Sequence, residues 1–266
     1  MSCLIVIPAR YGSSRFPGKP LALLRGANGQ AMPLIQRSWL AAQQVPNIDR
    51  VVVATDDARI RETCEGFGAE VIMTSDACGN GTERCAEAVQ KIGAPFDIVI
   101  NLQGDAPLTP AWFISALVDE LKQTDWAVMA TPVLRCDGQT LTALRNDRLA
   151  GRVGGTTAVF GADRRALYFS KEVIPFTASP YSDRAATPVF HHVGVYAYKP
   201  AALHAYGTLP IGPLETLEGL EQLRFLENGH PVLCVEVNAQ DRTFWELNNP
   251  SDIPVIETMM ATMGME

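Results

Sequence analysis

Short apolar runs rich in β-branched residues recur at 3–7, 51–54, 71–73 and 98–102. Each is short and, apart from Asn101 in the last, apolar, without the alternation of a half-exposed strand, so each predicts a strand covered on both faces. Between them, residues 33–44, 57–67, 83–92 and 110–123 carry apolar and polar positions at helical spacing. Pro110 suits a first helical turn and Thr109 suits its cap. Strand and helix alternating in this way predict βαβ units around a mostly parallel sheet, an α/β fold.

After 128–133 the rhythm changes. A Gly-rich run at 151–155, a strand at 167–169, a loop at 177–188 and an alternating strand at 192–198 predict an antiparallel insertion. A helix at 213–228 leads to a strand at 232–237 and a closing helix at 250–263. No repeat, low-complexity tract or linker divides the 266 residues, so the chain is expected to form one unit.

Composition narrows the function. With 47% hydrophobic and 19% charged residues the chain has the apolar content of a folded domain. The net charge of −7 argues against a nucleic-acid partner, which rewards a basic surface. No apolar run reaches the ~20 residues of a membrane span, so no membrane insertion and a cytoplasmic location are expected. Six cysteines, Cys3, Cys64, Cys78, Cys85, Cys136 and Cys234, form no C-x-x-C pair, which predicts buried free thiols. Charge is also unevenly placed. All 29 acids lie at or beyond Asp49, while the first 48 residues hold Arg10, Arg15, Lys19, Arg25 and Arg37. That asymmetry predicts a local anion site on an acidic protein.

The segment after the first strand concentrates this signal. From Pro8 it reads Ala9-Arg10-Tyr11-Gly12-Ser13-Ser14-Arg15-Phe16-Pro17-Gly18-Lys19-Pro20, with three cations, two glycines and no acid. Ligands of open α/β sheets bind beyond the carboxyl ends of strands, where small residues let backbone N–H groups approach phosphate and Arg or Lys supply charge. The Walker A spacing is absent, because five residues separate Gly12 from Gly18 and Pro20 follows Lys19. G-x-G-x-x-G is absent as well. By composition alone a flexible loop with solvated cations reads equally well.

The order I-P-A-R-Y-G-S-S-R-F-P-G-K-P-L resembles the signature of the sugar-acid cytidylyltransferases, and more closely that of the 3-deoxy-manno-octulosonate (Kdo) cytidylyltransferase family. Further blocks are similar to that family's, in its order. They are Val53-Ala54-Thr55-Asp56, Gly81-Thr82-Glu83-Arg84, Leu102-Gln103-Gly104-Asp105, Leu167-Tyr168-Phe169-Ser170, His192-Val193-Gly194-Val195-Tyr196, Pro213-Leu214-Glu215 and Glu221-Gln222-Leu223-Arg224. The resemblance implies a Rossmann-like nucleotidyltransferase fold of the glycosyltransferase-A type, three-layered, with a mostly parallel sheet and an antiparallel insertion. It further implies a nucleotide-binding half at 1–133, a sugar-binding and dimerisation insertion at 134–230 and a return to the main sheet at 231–266. The implied reaction is attack by the anomeric hydroxyl of an acidic 3-deoxy sugar on the α-phosphorus of CTP, releasing pyrophosphate. The family leans toward a homodimer and lipopolysaccharide synthesis.

Nucleotidyl transfer rests on positioning and charge neutralisation, so Arg15, Lys19 and Asp105 are the candidate catalytic residues. Ala9, Arg10, Gly12, Ser13, Ser14, Arg15, Lys19, Thr55, Gly81, Thr82 and Gln103 are candidates at CTP. Asp105 follows the fourth strand and a permissive glycine, which suits a hard Mg²⁺; the bland alternative is a helix cap, better supplied by Thr109. Thr82 can cap the helix it opens while leaving N–H groups toward an anion. The resemblance places Arg84, Gln103, His192, Tyr196, Glu221 and Gln222 at the sugar acid. Taken singly, His192 also reads as a paired strand histidine, Tyr196 as a core aromatic, and Glu221 and Gln222 as a helix face.

The sequence departs from the family in three places. Q-G-D-E-P becomes Gln103-Gly104-Asp105-Ala106-Pro107. V-D-T-P-E-D, whose Asp is a second metal carboxylate, becomes Leu247-Asn248-Asn249-Pro250-Ser251-Asp252, so Asn248 offers a neutral carbonyl to Mg²⁺. N-P-N gives way to Gly151 through Thr157. These departures fit a divergent subgroup acting on a modified or related octulosonate, or a weaker enzyme. The rival readings are a cytidylyltransferase for another acidic sugar such as a nonulosonate, against which the Gly81-Thr82-Glu83-Arg84 and Tyr168-Phe169-Ser170 blocks favour the octulosonate, and a nucleotide-binding homologue with weakened catalysis.

Overall fold

The computed structural model describes residues 2–12, 16–153, 155–240, 242 and 245–266. The chain folds as two compact units. The first comprises Met1–Ser115, Lys199–Gly207 and Ala239–Glu266, and the second Ala116–Tyr198 and Thr208–Asn238.

In the first unit the four predicted strands are β1 (Cys3–Ala9), β4 (Arg50–Thr55), β5 (Glu70–Met73) and β6 (Ile98–Leu102). They pair in parallel in the order β5-β4-β1-β6. Leu4, Ile5, Val6 and Ile7 of β1 are all fully buried, each adding about 1.5–3 kcal/mol of apolar burial. The covering helices are α1 (Leu34–Gln43), α2 (Ala58–Gly66), α3 (Gly81–Ile92) and α4 (Ala111–Gln123), the last running on into the second unit. A hairpin, β2 (Leu23–Arg25) with β3 (Ala31–Pro33), precedes α1. Arg37, counted above among the cations facing an anion, turns inward and is 3% exposed. Its guanidinium donates to the carbonyls of Leu24, Gln30 and Glu266, so it braces the hairpin and the last residues.

The second unit carries the antiparallel strands. β7 (Met129–Asp137), β10 (Ala186–His192), β8 (Thr156–Phe160) and β9 (Ala166–Ser170) pair antiparallel in that order, with β11 (Val195–Tyr198) antiparallel on the other side of β7. β12 (Val232–Glu236) joins β7 in parallel. Of the strand expected at 192–198 only Val195–Tyr198 forms β11, while β10 starts earlier, inside the expected loop, and ends at His192; the Thr131 hydroxyl, 3.2 and 2.9 Å from the carbonyls of Val193 and Val195, holds the bend between the two.

The expected helix at 213–228 is likewise broken into α7 (Pro213–Glu218) and α8 (Leu223–Glu227). Gly219 takes a left-handed φ of +61° and ends the first piece. Arg224 then reaches back to Glu215 through two 2.7 Å bonds, with side-chain exposures of 3% and 10%. Helices α5 (Gly138–Leu149) and α6 (Pro200–Tyr206), and strand β8 itself, have no counterpart in the periodicity reading. The closing segment is a 3-10 turn at Pro250–Asp252 and then α9 (Ile253–Thr262), in the first unit.

Caps also differ from expectation. Asn80, not Thr82, caps α3 by accepting from Glu83 N–H at 2.8 Å. The Thr109 hydroxyl is buried and makes no hydrogen bond. All six cysteines are free, and Cys78 alone of them is half-buried. No helix among the described residues is long and apolar enough to cross a membrane.

Candidate active site

Parallel pairing puts the carboxyl ends of β1, β4, β5 and β6 on one edge of the first unit's sheet, where the cation-rich loop begins. Its two ends are tied together. Gly18 N–H donates to the Tyr11 carbonyl at 2.9 Å, and a Cβ on Gly18 would stand 3.1 Å from the Tyr11 ring. Gly18 also has a φ of +71°, so a side chain there is opposed twice. Ser13, Ser14 and Arg15 lie outside the described residues. Ala9 is buried at the end of β1, Arg10 and Gly12 are exposed, and Gly12 has open space where a Cβ would be.

The short 3-10 turn Lys19–Leu21 delivers Lys19 to Asp105, Nζ to Oδ2, at 2.5 Å. Asp105 reaches this point because Gly104 is backbone only. A Cβ there would lie 2.9 Å from the Pro8 carbonyl oxygen. Ser38 Oγ fixes the same turn by donating to the Gly104 carbonyl at 2.9 Å. Among the described residues the Asp105 carboxylate is bonded through Oδ2 alone. Leu247 N–H donates to the Asp105 carbonyl at 3.0 Å, which brings Asn248, the next residue, to this neighbourhood. Asn248 and Asn249 N–H both donate to Asp252 Oδ2, at 2.9 and 2.7 Å.

Gly81 opens α3 where a Cβ would be 3.0 Å from Gln103 Nε2 and 3.3 Å from Pro8 Cγ, so the helix start, Gln103 and the end of β1 converge. Thr55 and Thr82 are buried beside this edge. Arg84 is 2% exposed and faces inward. Its Nη1 lies 2.5 Å from Thr74 Oγ1 and 3.4 Å from Asp56 Oδ1, cross-bracing α3 to the ends of β4 and β5.

Other candidates gather in the second unit. His192 is 4% exposed, with Nε2 2.9 Å from Thr131 Oγ1 and Nδ1 3.0 Å from Thr156 Oγ1. Burial, reinforced by neighbouring His191, pushes its pKa from 6.5 down to about 3, so the ring is neutral. Its ring lies edge-on to Phe169 at 4.9 Å and tilted against Tyr196 at 5.7 Å. The Tyr196 hydroxyl donates to Gln222 Oε1 at 3.2 Å. Gln222 is 1% exposed, and its Nε2 is a buried donor with no partner. An unmet buried amide costs about 1–3 kcal/mol, which a polar ligand or a water at Nε2 would relieve. Glu221 is half-buried in the turn between α7 and α8.

Sequence reading missed Thr131 and Thr156. The signal was present in Thr131, a hydroxyl inside an otherwise apolar strand, and in Thr156, placed directly after the Gly-rich run. Among the described residues no cluster of three His, Cys, Asp or Glu side chains could hold a metal by itself. Asp105 suits Mg²⁺ as one carboxylate among phosphate and water ligands.

A cytidylyltransferase family model matches residues 4–237. The chain is 44% identical over 264 residues to a 3-deoxy-manno-octulosonate cytidylyltransferase of Maricaulis maris, covering 99% of each. It is 38% identical over 264 residues to an 8-amino-3,8-dideoxy-manno-octulosonate cytidylyltransferase of Shewanella piezotolerans, covering 98% of this chain and 99% of that one. A solved structure of CMP:2-keto-3-deoxy-manno-octonic acid synthetase complexed with CTP superposes with a TM-score of 0.82 at 32% identity, over 99% of this chain and 100% of that one. With fold, loop and full-length similarity in agreement, the chain belongs to the 3-deoxy-manno-octulosonate branch of the cytidylyltransferase family.

Proposed function

We propose that the protein transfers CMP from CTP to 3-deoxy-manno-octulosonate, giving the CMP-sugar and pyrophosphate. The observation that carries this reading is the Lys19–Asp105 pair, held at the sheet's carboxyl edge by Gly104, in a chain with full-length similarity to such enzymes. In the reaction the sugar's anomeric oxygen forms a bond to the α-phosphorus, the bond from that phosphorus to the bridging oxygen breaks, and the hydroxyl proton leaves to solvent. Arg10, Arg15 and Lys19 bind the triphosphate and offset charge as it moves onto pyrophosphate. Backbone N–H groups from Gly12 to Ser14, with Gly81, Thr82 and Gln103, close around the nucleotide. Thr55 and Arg84, buried behind that edge, hold its shape.

Mg²⁺ fits this site as a cofactor, held by Asp105 with the Asn248 side-chain carbonyl and phosphate oxygens. When bound, it supplies positive charge to the phosphoryl oxygens. In the second unit His192, Tyr196, Glu221 and Gln222 bind the polyhydroxylated acid, and the unpaired Gln222 Nε2 supports that reading. An amino-substituted octulosonate is the second reading, supported by the similarity to enzymes named for the 8-amino sugar. Pyrophosphate release with CTP, Mg²⁺ and a panel of both octulosonates and a nonulosonate separates these substrates. Release with the nonulosonate alone would overturn the reading.

The enzyme is further read as cytoplasmic and homodimeric. Six free cysteines support a reducing compartment, and exposed Leu167, Leu214 and Leu217 support a self-association surface. Light scattering that gives a monomer mass at micromolar concentration would remove the dimer.

A further inference from the structure

The hydroxyl of Thr131 has one proton and lies against three groups, the carbonyls of Val195 at 2.9 Å and Val193 at 3.2 Å and the Nε2 of His192 at 2.9 Å. If that proton pointed to Nε2, two carbonyl oxygens would face the hydroxyl oxygen with no hydrogen between them. The arrangement is satisfied only when Thr131 donates to the carbonyls and His192 donates from Nε2–H to Thr131 Oγ1. His192 is then the Nε2–H tautomer, and its Nδ1 is an acceptor. Thr156 Oγ1, 3.0 Å away, donates its own proton inward to Nδ1.

This fixes what Thr156 shows on its outer side. The residue is half-buried at the start of β8, and with its proton committed its oxygen has only lone pairs to offer. Thr156, His192, Tyr196 and Gln222 form one chain of contacts ending in the unpaired Nε2 of Gln222. One end of the strip accepts and the other donates. We infer that Thr156 is a specificity-determining residue for the sugar acid, its oxygen accepting a hydrogen bond from a hydroxyl or ammonium group of that substrate. The inference rests on reading the second unit as the sugar-acid site. A donor substituent is held there, and a substituent that can only accept is opposed.

Three readouts test it. In the long-range ¹H–¹⁵N spectrum of the wild-type protein, His192 should show a protonated Nε2 and a bare Nδ1; a protonated Nδ1 would overturn the inference whether or not any variant folds. In steady-state assays Thr156→Val should raise KM for the sugar acid about tenfold, the worth of one hydrogen bond, with kcat and the KM for CTP changed by less than about twofold. Thr156→Ser should restore the wild-type value. Gln222→Leu separates the role of Thr156 from that of the sugar site as a whole. If it raises the sugar KM while Thr156→Val does not, the role of Thr156 is lost and the sugar site stands. If neither changes the sugar KM, both are lost.

Discussion

Lys19 Nζ lies 2.5 Å from Asp105 Oδ2, although the two are 86 positions apart in the chain. The contact joins the loop after β1 to the turn after β6 and sets a cation beside the carboxylate proposed to hold Mg²⁺. Replacing Asp105 by Asn keeps the shape and removes the charge. Turnover should fall by at least about 100-fold, as expected for a group that acts on the developing charge, while the thermal midpoint stays close to wild type. Full activity in Asp105→Asn would remove Asp105 from the mechanism.

Gly104 is the steric condition for that contact. In Gly104→Ala the new Cβ meets the Pro8 carbonyl oxygen at 2.9 Å, which is backbone against backbone and has little room to yield. The variant should lose about 1–3 kcal/mol of stability and most of its activity, read by urea unfolding and turnover. An alanine variant as stable and active as wild type would contradict the packing described.

In the proposed metal site Asn248 would supply a neutral oxygen where a carboxylate would bind Mg²⁺ more strongly. Asn248→Asp should therefore lower the Mg²⁺ concentration for half-maximal turnover several-fold and tighten Mg²⁺ binding in calorimetry with CTP present. An unchanged Mg²⁺ requirement would mean that the ion is held by other groups.

Acid should destabilise the fold through His192. Its folded pKa of about 3 is below the ordinary 6.5, so the unfolded chain takes up a proton that the folded chain refuses. The contribution is complete above 6.5 and is lost progressively as pH falls toward 3. Between pH 7 and pH 5 this group alone should remove about 2 kcal/mol of unfolding free energy. His191, shifted to about 4, adds in the same direction. A flat stability over that range would contradict a buried neutral His192.

The first half of the fold was legible because its strands are short, apolar on both faces and separated by amphipathic helices. The second half was harder for physical reasons. Gly219 divides what reads as one helix, and the Arg224–Glu215 pair that folds the pieces together joins residues of ordinary surface type. The bend between β10 and β11 depends on Thr131, a partner 62 residues away from Val193. In the candidate site, the pairing of Lys19 with Asp105 sits where composition and position pointed, at the carboxyl ends of β1 and β6. The inward turn of Arg84 did not, because a charged residue near a helix start reads as solvent-facing until Asp56 and Thr74 are seen beside it.

The proposed reaction takes place at the α-phosphorus of CTP. Phosphorus NMR of the protein with CTP, Mg²⁺ and 3-deoxy-manno-octulosonate reads it directly. One phosphodiester signal should grow with one equivalent of pyrophosphate, and neither should form in Asp105→Asn. CTP that stays intact, or that yields CMP with no sugar attached, would contradict it.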